Sequence, residues 1–410
     1  MPDAVSPTVT ETSSLLPPLP WLRIRGRSVL PIVQGGMGVG ISAHRLAGSV
    51  AACNAVGTLS SVDLRTHHAD LMEETRDLGI GPEAKNKINA VNLVALDREI
   101  KRAKEIAKGM GMIAVNIMRA VAEYASYVRQ SCESGADAVV VGAGLPIDLP
   151  ELTKDHPNVA LIPILSDLRG IQLIVKKWER KGRLPDAIVI EHPKYAGGHL
   201  GAAKIADLDD PRFNFENVIP DTRKFFREMG LADDAIPLIP AGGINSHERV
   251  RELINMGAGG VQLGTAFAVT EEGDAHENFK RVLAGAEEEQ IVEFMSVAGL
   301  PARAVKTPWL ENYLKAEPVL QAKAAARGTP KPRCVMVFDC LQQCGLRDGI
   351  SKIGQFCIDK QLAAAVRGDI KKGLFFRGAS SLPFGKQIRP VRELIDYLMT
   401  GVRPAGVNPA

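Results

Sequence analysis

The most regular feature of the chain is an alternation of two hydrophobic patterns that begins near residue 29. Short continuous apolar runs are typical of strands buried on both faces of a parallel sheet. The stretches between them, with apolar residues every three to four positions, predict amphipathic helices. The predicted strands are residues 29–34, 56–60, 112–116, 138–141, 160–165, 187–191, 237–241 and 260–263. This succession predicts an α/β fold, a TIM (β/α)8 barrel, with an open doubly wound sheet as the alternative, because periodicity does not show closure.

The same pattern divides the chain into three parts. Residues 1–20 are rich in Ser, Thr and Pro and lack a charged start followed by an apolar segment, so we expect a disordered tail and no signal peptide. Residues 21–286 form the predicted barrel. The alternation then stops, and residues 287–410 predict a mainly helical, cysteine-bearing C-terminal extension whose last helix has an apolar face that packs on the barrel.

Composition narrows the function by exclusion. The 410 residues are 45% hydrophobic, and a formal net charge of +3 is spread over both signs, which gives no support for nucleic-acid binding. No apolar run reaches membrane-spanning length, so we expect no membrane insertion. Six cysteines in a chain of this length do not suggest a disulfide scaffold, and a reducing cytoplasm is the expected location. The subunit count stays open, with a homodimer as one option.

Glycine-rich corners follow several predicted strands. In residues 34–40, glycines would let main-chain groups lie against a planar ring, with Met37 as soft apolar cover; the spacing does not match a dinucleotide-binding fingerprint. Residues 241–245 and 262–266 follow the last two strands, where TIM barrels commonly bind phosphate through N–H groups and a short helix N-terminus. The alternative is ordinary left-handed turns and helix caps. These corners predict a small phosphorylated ligand.

The candidate catalytic residue lies in residues 195–201, just after the sixth strand. Gly197 and Gly198 would allow close backbone approach to a flat ligand, and His199 would project from a rigid loop. An imidazole that titrates near neutrality can handle protons at such a position. A tight turn with a structural histidine is the alternative.

Three other strand ends carry polar side chains. Asn116 ends the third strand, and its amide could bond the edge of a heterocycle; Glu191 ends the sixth. Each alone could equally be a helix cap, but their position at strand ends favours both as ligands. Ser166 and Asp167 follow the fifth strand and look more like a cap for the next helix.

Together these stretches resemble the nitronate monooxygenase (2-nitropropane dioxygenase) family, which is related to FMN-dependent enoyl-ACP reductases. The matching segments are residues 31–37, 115–116, 196–201, 241–244 and 262–266. The resemblance implies a TIM barrel with non-covalent FMN and with His199 over the flavin beside the substrate. The cofactor-binding residues it implies are Gly36, Met37, Asn116, Glu191, Gly197, Gly198, Gly242, Gly243, Gln262, Gly264 and Thr265.

The activity implied by this resemblance is oxidation of alkyl nitronates by O₂, with His199 holding the negatively charged nitro oxygens by charge or by a hydrogen bond. The alternative enzyme is an FMN reductase that uses NAD(P)H on enoyl thioesters or quinones, in which His199 would polarise the carbonyl. From a different class, a phosphate-ligand binding barrel without a redox role is a further alternative.

Four of the six cysteines are clustered near the C-terminus: Cys334, Cys340, Cys344 and Cys357. Clustered thiols in a reducing compartment favour a metal or cluster over disulfides. The last three resemble the iron–sulfur segment of flavin-dependent dienoyl-CoA reductases, which implies a [4Fe-4S] cluster near FMN. Zinc would more usually show short cysteine pairs, and buried thiols without metal are the remaining interpretation.

The connection after the second strand is unusually long, from residue 61 to residue 90, and predicts a lid or substrate wall. It contains the adjacent residues His67 and His68. Because adjacent positions point apart and no carboxylate or cysteine stands at ligand spacing, a solvated loop is favoured over a metal site.

Overall fold

The structure, a computed structural model, describes residues 18–79, 81–326, 334 and 340–407. Residues 1–17 of the predicted tail lie outside this part of the chain. Within it, no helix is both long enough and apolar enough to cross a membrane.

The described residues form strands and helices throughout. The strands are β1 (Leu22–Ile24), β2 (Arg27–Val29), β3 (Ile32–Gln34), β4 (Val56–Ser60), β5 (Met112–Met118), β6 (Ala138–Gly142), β7 (Ala160–Leu165), β8 (Ile188–Glu191), β9 (Gly198–His199), β10 (Leu238–Ala241), β11 (Val261–Leu263), β12 (Ile291–Met295), β13 (Pro301–Val305) and β14 (Phe375–Phe376). The α-helices are α1 (His44–Ala52), α2 (Ala69–Glu74), α3 (Pro82–Ala107), α4 (Tyr124–Glu133), α5 (Leu149–Leu152), α6 (Leu168–Glu179), α7 (Phe215–Glu228), α8 (His247–Met256), α9 (Thr265–Ala268), α10 (Glu277–Gly285), α11 (Pro308–Ala325), α12 (Gly345–Asp348), α13 (Ile358–Val366) and α14 (Val391–Thr400). Short 3₁₀ helices lie at Leu64–His67, Ile205–Asp207, Pro211–Phe213 and Glu288–Gln290.

A closed parallel barrel is the centre of the fold. Strands β3 to β8, then β10 and β11, pair in that order, and β11 returns to pair with β3. The TIM-barrel prediction is therefore confirmed, and the open sheet is excluded. Alternate side chains such as Val56, Ala114 and Ile162 fill the interior, and Leu22 and Ile24 of the β1–β2 hairpin belong to the same apolar cluster.

The chain beyond residue 286 contributes strands as well as helices. Strands β12, β13 and β14 form an antiparallel sheet, and β9 of the barrel domain also pairs with β13. The helical prediction holds for α11, α13 and α14 but misses the β12–β13 hairpin, whose turn places Gly299 at a φ of 75°. Strand β13 is buried along its whole length. A short, fully buried strand cannot be told from a buried helical segment by periodicity.

The C-terminal helix α14 belongs to the outer layer of the barrel. It packs against α1 and α8, and its apolar face, including Val391, Leu394 and Leu398, joins the main hydrophobic core. The Nδ1 atom of His247 on α8 lies 2.9 Å from the carbonyl oxygen of Leu398. The barrel and the extension therefore share one core, and the domain boundary at residue 286 stays a prediction.

The long connection after β4 is folded, so the expectation of a solvated loop is wrong for its histidines. His68 is buried, and its Nε2 lies 3.0 Å from Oε1 of Glu99 on α3. The Nε2 of His67 lies 2.9 Å from the carbonyl oxygen of Gly40. The same Glu99 carboxylate accepts a hydrogen bond from the His44 backbone N–H at 2.8 Å. The partner was missed because it comes from a helix more than thirty positions away.

Candidate active site

A cavity of about 320 Å³ opens at the carboxyl ends of the barrel strands, a size in the range of small-molecule sites. His199 and all the residues expected to bind the cofactor line it: Gly36, Met37, Asn116, Glu191, Gly197, Gly198, Gly242, Gly243, Gln262, Gly264 and Thr265. The structure thus brings the predicted residues into one site. Their individual roles remain predictions.

The corner after β3 is shaped by close packing as well as by space for a ligand. A Cβ atom at Gly36 would lie 2.3 Å from the Cβ atom of Asn116, so only glycine fits beside that side chain. Gln34 is fully buried and joins β3 to β4, since its side chain donates to the Thr58 carbonyl at 3.0 Å and accepts from the Thr58 N–H at 2.8 Å. These contacts hold the Gly36–Met37 backbone at the cavity wall.

The corners after β10 and β11 form the predicted phosphate end of the cavity. Gly242 and Gly243 have φ angles of 101° and 75°, which favour glycine. Helix α9 begins at Thr265, directly after Gly264. The Thr265 hydroxyl accepts a hydrogen bond from the Gly378 N–H at 3.0 Å, so the extension reaches this corner.

The extension also lines this end of the cavity, which the sequence did not predict. Gly378, Ser380 and Ser381 line the cavity, and the Asn245 amide donates to the Ser381 hydroxyl at 2.8 Å. The concentration of glycine and serine in residues 378–385 was the available signal, since small residues favour close backbone approach.

His199 is held by strand pairing between the barrel and the extension. It lies on β9 opposite Ala302 of β13, and its ring meets the edge of Phe376 at a centroid distance of 5.7 Å. Its Nε2 atom is buried and has no hydrogen-bond partner among the described residues. Burial lowers the pKa of His199 to about 4, so the imidazole is neutral near pH 7. His199 was expected to hold the substrate's nitro oxygens either by a positive charge or by a hydrogen bond, and a neutral imidazole favours the hydrogen bond.

Arg303 anchors the segment that carries His199. Its side chain is 2% exposed, and its Nη1 donates to the carbonyl oxygens of Pro193 at 3.1 Å and of Ala196 at 2.5 Å. Its Nε donates to the Glu293 carboxylate at 2.8 Å. No local pattern distinguishes this arginine from an exposed one, so sequence analysis missed it.

Glu191 differs electrostatically from the exposed carboxylates. Burial raises its pKa to about 7, which places its titration in the neutral range. A protonated Glu191 could donate a hydrogen bond as a glutamine amide does. Of the pair Ser166 and Asp167, predicted to cap the next helix, Asp167 does so. Its Oδ1 accepts a hydrogen bond from the Gly170 N–H at 2.8 Å at the start of α6.

The four clustered cysteines do not fit the predicted iron–sulfur or zinc site. They are free thiols, and no group of three or more His, Cys, Asp or Glu side chains in the described part of the chain is placed to hold a metal ion. Cys340 lines the cavity, whereas Cys334, Cys344 and Cys357 do not. Burial raises the pKa of Cys357 to about 11, which disfavours the thiolate that a metal needs.

The fold and the cavity define a class, a TIM-barrel enzyme that acts on a small molecule at the carboxyl ends of its strands. Comparison with known protein families identifies the family within this class. The sequence model of the family described as nitronate monooxygenase matches residues 26–401, so the chain belongs to that family. The protein is accordingly an enzyme, an FMN-type oxidoreductase.

One curated relative and two solved structures are similar to this chain. A probable nitronate monooxygenase of Bacillus subtilis (strain 168) is 28% identical over 293 residues, which cover 69% of this chain and 78% of that protein. The structure of FabK from Thermotoga maritima is similar with a TM-score of 0.60 and 20% identity, over 90% of this chain and 91% of that one. The structure of nitroalkane oxidase from Streptomyces ansochromogenes is similar with a TM-score of 0.59 and 18% identity, over 90% of this chain and 94% of that one. At these identities the two structures show the shared fold alone.

Proposed function

We propose that the protein binds FMN non-covalently in the cavity and oxidises alkyl nitronates with O₂. The observation that carries the proposal is the buried, unpartnered Nε2 of His199 in a cavity lined by a glycine-rich cradle. The name of the Bacillus relative supports the choice of nitronates as substrates.

The residues present fit FMN. Gly242, Gly243 and the N-terminus at Thr265 would hold the phosphate, because their N–H groups favour an anion. The backbone at Gly36 and the side chain of Met37 would cover one part of the ring. When bound, the flavin supplies the electron transfer from the nitronate to O₂.

His199 would bind the substrate's nitro group. A neutral imidazole can donate one hydrogen bond to a nitronate oxygen. Oxidation balances when two nitronate anions and one O₂ give two carbonyl compounds and two nitrite ions. The protein's part is to position the anion and to hold the proton on the ring nitrogen.

The test compares His199→Ala with wild-type protein and with His156→Ala, a control at a histidine outside this cavity. We expect His199→Ala to keep FMN, seen by flavin absorbance, and to lose turnover of an alkyl nitronate by about 10²–10⁴-fold. The control should match wild type. Loss of FMN and of folding in His199→Ala would instead identify a structural histidine.

Anaerobic titration distinguishes the rival activities. Bleaching of the flavin by a nitronate alone supports the proposal. Rapid bleaching by NAD(P)H, with no response to nitronates, would overturn it in favour of a reductase of enoyl thioesters or quinones. A colourless preparation that binds phosphate ligands would point to a binding protein without a redox role.

A further inference from the structure

The cavity has a second wall, which the C-terminal extension supplies. We call it the extension wall and define it by the apolar side chains of Leu341, Ile358, Leu362 and Phe376. The first three are less than 9% exposed and pack in an apolar cluster separate from the barrel core. This wall lacks the glycines and main-chain donors that characterise the phosphate end.

One acidic side chain interrupts the extension wall. Asp359 stands on α13 between Ile358 and Leu362, lines the cavity and is 2% exposed. Its Oδ1 atom makes no hydrogen bond to any residue that the structure describes. An unsatisfied buried carboxyl oxygen is costly, so its position beside a cavity indicates a ligand that completes its hydrogen bonding.

The charges around Asp359 do not supply that partner. Arg65 lies near enough to favour its ionised form, but the Arg65 Nε already donates to Asp63 at 2.9 Å and its Nη1 to Thr75 at 2.8 Å. Arg367 acts only through space. Asp63 and Asp359 are thus two buried carboxyl groups close to Arg65, and the Arg65 Nε donates its hydrogen bond to Asp63.

We propose that Asp359 is a substrate-contacting residue that hydrogen-bonds the polar head of the substrate while the substrate's apolar chain lies along the extension wall. The preferred substrates are therefore alkyl compounds with an oxygen-bearing head group. This inference deepens the proposed function and rests on it for the identity of that head as a nitronate.

The state of the carboxyl agrees with an oxygen-bearing partner. Burial, and then the nearby Asp63, raise the pKa of Asp359 well above its ordinary value. A neutral acid donates a hydrogen bond to a nitro or carboxylate oxygen, whereas an ionised one would repel it.

The experiment uses FMN-loaded full-length protein and two ligands that do not react, acetate and hexanoate, whose binding is followed by perturbation of the flavin absorbance. We compare Asp359→Leu and Asp359→Asn with Asp396→Asn, a control at an exposed position on α14. The FMN dissociation constant is measured by flavin fluorescence. KM and kcat are measured for nitronates of rising chain length.

We expect Asp359→Leu to weaken hexanoate binding and to raise KM by about tenfold, the loss of one hydrogen bond to a charged group. Asp359→Asn keeps a donor and should weaken hexanoate binding less than Asp359→Leu does, whereas Asp396→Asn should stay near wild type. FMN affinity should not change in any variant. Hexanoate binding by Asp359→Leu at the wild-type level would overturn the inference.

A substitution in the wall keeps the test decisive if Asp359→Leu does not fold. Leu362→Trp should weaken hexanoate binding and leave acetate binding unchanged; equal effects on both ligands would count against the chain-binding wall. If the wild-type protein oxidises no nitronate, yet hexanoate binding still depends on Asp359, the proposed function fails and this inference stands.

Discussion

Removal of the Arg303 guanidinium should separate cofactor binding from turnover. Arg303→Met keeps the apolar stem but leaves the carbonyl oxygens of Pro193 and Ala196 without this hydrogen-bond donor. Each buried oxygen left unsatisfied costs about 1–3 kcal/mol of stability. The segment should relax to rehydrate these oxygens, and His199 moves with it. A displacement on the order of 1 Å at a reacting group can lower kcat roughly 100-fold. FMN affinity should fall less than kcat, because Gly197 and Gly198 move with this segment whereas Gly242, Gly243 and Thr265 lie outside it.

Three measurements check this prediction: kcat with an alkyl nitronate, the FMN dissociation constant, and amide hydrogen exchange across residues 193–199. Exchange should accelerate in that segment alone. Arg281→Met is the matched control, because Arg281 is 71% exposed and its pair with Glu277 should contribute less than about 1 kcal/mol. Unchanged exchange in Arg303→Met would refute the anchoring, and wild-type kcat despite faster exchange would refute the positioning of His199.

Two further predictions concern pH. The folded-state pKa of Glu191 is raised from 4.5 to about 7, so the cofactor-free protein should lose stability as the pH rises from 4.5 through 7. Thermal unfolding of Glu191→Gln should lack this decline, and an equal decline in the variant would contradict the assignment. The hydrogen bond to Glu99 raises the pKa of His44. The contribution of this pair to the free energy of unfolding is therefore complete below pH 6.5 and is lost as the pH rises through the raised pKa. Urea unfolding of Glu99→Gln should show about 2 kcal/mol lower stability below pH 6.5 and no such fading; wild-type behaviour would exclude the pair as a stabilising contact.

The barrel and its glycine corners were predictable because their signals are local. A run such as residues 138–141 is apolar at every position only if both faces of the strand are covered, and eight such runs separated by helices have few other folds available. The glycines of the 241–245 and 262–266 corners likewise mark backbone shapes that other residues resist. Strand order then brings those corners together, whatever the side chains between them.

The extension shows the limit of local patterns. Periodicity does not distinguish its buried strand β13 from a helical segment, and the clustering of cysteines predicted a metal site that the described side chains do not form. Clustering along the sequence counts residues of the right type, but coordination requires their sulfur atoms to converge within bonding distance of one point.

The sequence by itself determined the barrel, its glycine corners and the candidacy of His199. Tertiary structure alone decided that Arg303 holds the backbone 110 positions before it, and that Asp359 stands buried in the cavity wall. The physical reason is that strand period and left-handed backbone angles are properties of neighbouring residues. Burial, hydrogen-bond partners and pKa depend on which distant segments pack together, and no local pattern records that.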